Sequence, residues 1–130
     1  MNEEFKGRGL FVFSDPGGAK PILSLIKLKK LKNYKVFSDR NYSFYSDFGI
    51  NVQRCTLHEV DKILETNKPD YVYTGTSYTS LIEKEFLFKA KKKKITTCSF
   101  IDHYTRYNER FLFKGDYVYP DKVFLTDEKA

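Results

Sequence analysis

The 130-residue chain has no apolar run of about 18 residues, so none of its segments is long enough to cross a bilayer as a helix. Membrane contact is expected to be peripheral at most. Cysteine is scarce. Cys55 and Cys98 cannot build a disulfide framework or a four-thiolate zinc site. A reducing, cytoplasmic setting is the expectation, and the N-terminal stretch MNEEFKGRGLFVFSD does not read as a secretory signal. The two histidines, His58 and His103, are not at helical ligand spacing, and no Asp-x-Asp follows a strand. Neither a metal nor any other cofactor is therefore expected. No G-x-G-x-x-G and no G-x-x-x-x-G-K-[ST] occurs, which disfavours NAD enzymes and NTPases. There is no repeat and no low-complexity linker.

What is present is a globular composition, 41% apolar and 31% charged, with a net charge of +6. Half of the lysines fall in runs at 27–32 and 89–94, where they suit helix C-termini. No nucleic-acid motif accompanies them, so a nucleic-acid partner is not expected.

Short apolar runs alternate with helical patterns. Strands are expected at 9–13, 34–38, 51–55, 71–74, 95–101 and 122–125. A helix is expected to open near Pro21, after a loop from Ser14 to Lys20. Others are expected over 41–48 with Gly49 as left-handed cap, after the capping box Thr56–Glu59, and after a second box Ser80–Glu83. His58 reads as a surface residue. The segment 102–120 shows no clear helical period and reads as an extended loop. This alternation implies a Rossmann-like, doubly wound α/β fold, three layers deep, with six parallel strands in the order 3-2-1-4-5-6.

In such a sheet ligands bind beyond the carboxyl ends of the strands, where the order reverses. That places the loop after the first strand beside the loop after the fourth. In the first, Gly17 and Gly18 allow close backbone approach to an anion at a helix start, or simply a tight turn with Asp15 as cap. In the second, Thr74, Thr76, Ser77, Tyr78, Thr79 and Ser80 surround Gly75 with hydroxyls. These suit phosphate or sugar groups, although helix capping alone would need only Ser80. After the fifth strand, His103 is a candidate general base, and Asp102 could orient it or bind substrate hydroxyls; a structural histidine is the alternative. Arg106 and Arg110 can clamp a phosphate, or Arg110 can pair with Asp102 or Asp116 to hold the loop.

The segments SDPGGAKP, TGTS, a Glu-Lys early in the next helix, FIDHYTRYNERF and PDKVFLTDEKA together resemble the N-terminal half of bacterial GT-B-type glycosyltransferase-like proteins of surface-polysaccharide biosynthesis. The resemblance runs from Phe11 to Ala130. It implies a single acceptor-side domain over 1–130, without the C-terminal nucleotide-sugar domain. It also implies metal-independent sugar transfer and a sugar or nucleotide-sugar ligand, with a C-terminal GT-B domain or partner chain completing the cleft. Two further readings stand beside it: a non-catalytic nucleotide or phospho-sugar binding module, and an epimerase or hydrolase on the same fold.

Overall fold

The computed structural model describes residues 5–77, 80–101 and 108–125. Its elements are β1 (Gly9–Phe13), α1 (Pro16–Leu28), β2 (Tyr34–Ser38), α2 (Tyr45–Phe48), β3 (Gln53–Arg54), α3 (Val60–Asn67), β4 (Tyr71–Thr74), α4 (Ile82–Lys92), β5 (Thr96–Ile101), β6 (Leu112–Phe113), β7 (Asp116–Tyr117) and β8 (Lys122–Leu125). Six strands form one sheet in the order β3-β2-β1-β4-β5-β8, and every pair in it is parallel. This is the α/β Rossmann-like topology expected, with β8 as the sixth strand. Among the described residues no helix is long and apolar enough to cross a membrane.

Side chains alternate across β1. Phe11 and Phe13 face one side and pack with Ile22, Leu23 and Ile26 of α1 and Tyr45 of α2. Leu10 and Val12 face the other and pack with Val60 and Leu64 of α3 and Ile82, Phe86 and Ala90 of α4. Both faces of the central strand are therefore covered, which is why GLFVF is apolar throughout rather than alternating. Each fully buried large side chain, such as Phe11 or Phe86, contributes about 1.5–3 kcal/mol.

Helix α1 starts five residues before the expected position. Asp15 is extended and its side chain accepts the Gly18 N–H, and Pro16 opens the first turn. A cap followed by proline is a complete start signal, and the two glycines do not interrupt it. Pro21 lies inside the helix. The expected helix 41–48 shrinks to Tyr45–Phe48, closed by Gly49 at φ 66°, and the third strand to Gln53–Arg54. The first capping box forms, with the Glu59 carboxylate accepting the Thr56 N–H at 2.8 Å. His58 is exposed. Within the stretch read as an extended loop, a 3-10 turn (Glu109–Phe111) leads into an antiparallel β6–β7 hairpin. Phe111 and Phe113 bury there, an apolar signal too short to show a period.

Helices run antiparallel to the strands, so their C-terminal ends gather at the amino edge of the sheet. Lys30 and Lys94 hold left-handed backbone there, φ 54° and 61°. Each sits inside a closing bond that spans it, from Leu31 N–H to the Ile26 carbonyl and from Ile95 N–H to the Ala90 carbonyl.

Candidate functional site

β1 and β4 are neighbours, so the first turn of α1 meets the loop after β4 at the point where strand order reverses. The contact is between backbones. A β-carbon added to Gly75 would lie 3.3 Å from the Gly18 Cα and 2.5 Å from Glu83 Oε2. A side chain at Gly75 would have to displace Glu83, whereas a β-carbon at Gly18 would meet the Gly75 Cα at 3.4 Å, close to ordinary contact.

Glu83 fastens them. It is 2% exposed. Its Oε2 accepts the Ser14 N–H at 3.1 Å and its Oε1 accepts the Ser77 N–H at 2.6 Å. Ser77 Oγ in turn accepts the Asp15 N–H at 3.1 Å. One carboxyl group thus bridges the ends of β1 and β4. Burial pushes its pKa up to about 8, with the nearby Asp15 adding to the rise, while the hydrogen bonds from Ser77 and Ser14 oppose it.

Glu83 was expected to close a capping box with Ser80. Instead Ser80 Oγ accepts the Ile82 N–H at 3.3 Å and Glu83 turns away into the sheet edge. The helical period carries the reason. Glu83 shares the buried stripe with Phe86, Leu87 and Ala90, at i+3, i+4 and i+7. Its neighbour Lys84 is 8% exposed and donates to the Glu109 carbonyl at 3.3 Å. Burial lowers the Lys84 pKa and Glu83 offsets part of that fall.

The hydroxyl-rich loop is engaged within the protein. Thr74 Oγ1 and Ser99 Oγ are 2.7 Å apart across β4 and β5, and Thr76 Oγ1 donates to the Phe100 carbonyl at 2.9 Å. Arg110 Nη1 donates to the Thr76 carbonyl at 3.0 Å, which ties the 3-10 turn to the same edge. Asp15 acts as a local helix cap, holding the Gly18 N–H at 3.1 Å. The structure therefore brings Asp15, Gly17, Gly18, Thr74, Gly75, Thr76, Ser77 and Arg110 together at the carboxyl edge. Asp102, His103 and Arg106 lie outside the described residues, as does any Asp102 partner of Arg110.

Two residues of this edge were not singled out from sequence. One is Glu83 in its bridging role. The other is Asp39, one residue past β2, whose Oδ2 accepts from Ser80 Oγ at 3.2 Å. Its position directly after a strand next to β1 was the available signal.

No protein-family model matches the chain, and no curated protein sequence matches it. Solved structures share its fold. A UDP-GlcNAc 2-epimerase from Neisseria meningitidis, bound to UDP-GlcNAc, superposes with a TM-score of 0.52 at 19% identity, over 78% of this chain and 33% of its own. The translation initiation factor eIF-2B subunit delta from A. fulgidus superposes with a TM-score of 0.54 at 14% identity, over 87% of this chain and 45% of its own. The chain thus spans a third of the one and less than half of the other. These likenesses define a Rossmann-like α/β domain.

Proposed function

We propose that the chain is a glycosyltransferase-like domain of glycan biosynthesis that binds an acceptor or sugar-phosphate at the carboxyl edge of its sheet. The observation that carries this reading is the Gly18–Gly75 backbone contact, fastened by Glu83 at the reversal of strand order. A ligand-binding edge benefits from loops held rigid before the ligand arrives, because ordering them on binding weakens affinity. The epimerase likeness, to a protein bound to UDP-GlcNAc, supports a sugar-nucleotide ligand. In this reading Arg106 and Arg110 meet the phosphate, and His103, oriented by Asp102, serves as general base. The domain acts as the acceptor-side half of a cleft that a C-terminal GT-B domain or partner chain completes.

Half a cleft leaves its ligand open on one side, whereas small-molecule sites bury about 70–90% of theirs. Binding by the isolated chain should be roughly millimolar, worth about 4 kcal/mol, and donor and acceptor are not oriented for transfer. A backbone-amide NMR titration with UDP-GlcNAc tests this. The expected result is movement at Gly17, Gly18, Gly75, Thr76 and His103 without sugar transfer. Turnover by the purified chain, or movement confined to Lys91–Lys94, overturns it.

A further inference from the structure

Two buried polar atoms at the carboxyl edge have no hydrogen-bond partner among the described residues: Ser14 Oγ and Asp39 Oδ1. An unsatisfied buried polar group costs about 1–3 kcal/mol, so such atoms are rare and call for a reason.

They stand next to each other. β1 and β2 pair through Phe13 and Ser38, and Ser14 and Asp39 each follow by one residue. Adjacent strands lie about 4.8 Å apart. Leu10 and Val12 face α3 and α4, so alternation carries Ser14 to the same face. On β2, Phe37 faces that side while Ser38 turns to the other, where its Oγ meets the Tyr45 hydroxyl at 3.3 Å. Alternation therefore returns Asp39 to the face of Ser14, where Ser80, at the entrance to α4, holds its Oδ2 at 3.2 Å. Ser14 is 0% exposed and Asp39 half-buried, and both orphaned atoms are closed to solvent, so a ligand reaches the pair only as the Asp39 side chain turns aside.

We propose that Ser14 and Asp39 form a subsite for a sugar hydroxyl, on a ribose or a hexose. The chemistry fits on both sides. A hydroxyl is at once donor and acceptor. It can donate to Asp39 Oδ1 while accepting from Ser14 Oγ–H, which satisfies both orphaned atoms with one group. Phosphate carries negative charge in every form present near neutral pH, so the neighbouring Asp39 and Asp15 carboxylates disfavour it where they accept a neutral hydroxyl. This deepens the proposed sugar-binding function by giving the hydroxyls a place of their own, separate from the Gly18–Gly75 contact.

The test is an amide NMR titration of the full chain with D-ribose, GlcNAc, UDP and inorganic phosphate, repeated on Ser14→Ala and Asp39→Asn. Ribose or GlcNAc should move Ser14, Asp39 and Ser80, and phosphate should not. Movement by UDP but not GlcNAc assigns the hydroxyl to the ribose; the converse assigns it to the hexose. Asp39→Asn should weaken the sugar about tenfold or more, as expected for loss of a hydrogen bond to a charged group. Ser14→Ala should weaken it less and leave thermal stability unchanged or higher, since it removes a group with no protein partner. A sugar that leaves Asp39 unmoved, or a Ser14→Ala chain that loses stability while binding sugar normally, overturns the subsite. The two proposals separate cleanly. UDP-GlcNAc acting at Gly18 and Gly75 without Asp39 removes only the subsite. Ribose acting at Asp39, with UDP-GlcNAc silent at Gly18 and Gly75, keeps the subsite and removes the function proposed above.

Discussion

Gly18 and Gly75 approach so closely that a β-carbon on Gly75 would lie 3.3 Å from the Gly18 Cα. The two positions are not equivalent. A β-carbon on Gly18 would meet the Gly75 Cα at 3.4 Å and Glu83 Oε2 at 3.6 Å, which is near ordinary contact. On Gly75 it would strike Glu83 Oε2 at 2.5 Å. Gly75→Ala should therefore cost about 1–3 kcal/mol of stability, while Gly18→Ala should stay within about 1 kcal/mol, helped by its place in a helix. Chemical denaturation of both variants measures the difference; equal effects would mean that Glu83 moves aside at no cost.

Glu83 makes stability depend on pH in a particular direction. Its pKa rises from 4.5 in the unfolded chain to about 8 in the folded one. Between those values the folded state holds a proton that the unfolded state has released. Stability should fall as pH rises through that window, by up to about 1.4 kcal/mol per pH unit. Glu83→Gln should flatten the profile there. It should also be less stable than the wild type at pH 5, because its amide cannot accept both the Ser14 and the Ser77 N–H. A wild-type melting temperature that climbs from pH 5 to 8 in step with this group would contradict the assignment.

Arg110 joins the 3-10 turn to the loop after β4 through the Thr76 carbonyl. Arg110→Ala should lower stability by about 1–2 kcal/mol. It should also speed amide exchange at Glu109–Phe111 more than at β1. Uniform exchange across both would show that the turn does not depend on this anchor.

Lys30 and Lys94 occupy left-handed positions that glycine adopts without steric cost. Lys30→Gly and Lys94→Gly should each raise stability by about 0.5–1 kcal/mol. Thermal melts of the single and double variants check this, and the two gains should add because the sites lie on different helices.

The sheet was legible because its strands are written plainly. GLFVF, YKVFS and YVYT are apolar runs of strand length between turn signals, and their spacing admits little but parallel crossovers. Helix starts were harder. Gly17-Gly18 suggested a loop, yet Asp15 and Pro16 together already begin α1. The bridging carboxyl was hidden for a different reason. Ser80 and Glu83 have the spacing of a capping box, and only the burial stripe with Phe86 and Ala90 argues for the inward orientation. Sequence spacing gives both options, and packing against Gly75 chooses between them. Asp39 was overlooked because one acidic residue after a strand carries no pattern until its neighbour on β1 is known. Asp102, His103 and Arg106 lie outside the described residues.

The lysines at the helix ends give the domain a polarity along its strands. Lys27, Lys29, Lys30, Lys91, Lys92 and Lys94 belong to the amino edge with Asp70 and Asp121, while Asp15 and Asp39 share the carboxyl edge with Arg40, Lys84 and Arg110. Among the described residues the positive charge is therefore concentrated at the amino edge, which sets up a dipole along the strands. In the field of a polyanion such as an acidic lipid surface or an exchange resin, it turns its lysine end toward the charge. Its carboxyl edge is then presented outward, to the solution. Adsorption of this kind orients the domain without covering the edge where its ligand is proposed to bind, and salt weakens it as the screening length contracts, to about 8 Å at physiological ionic strength.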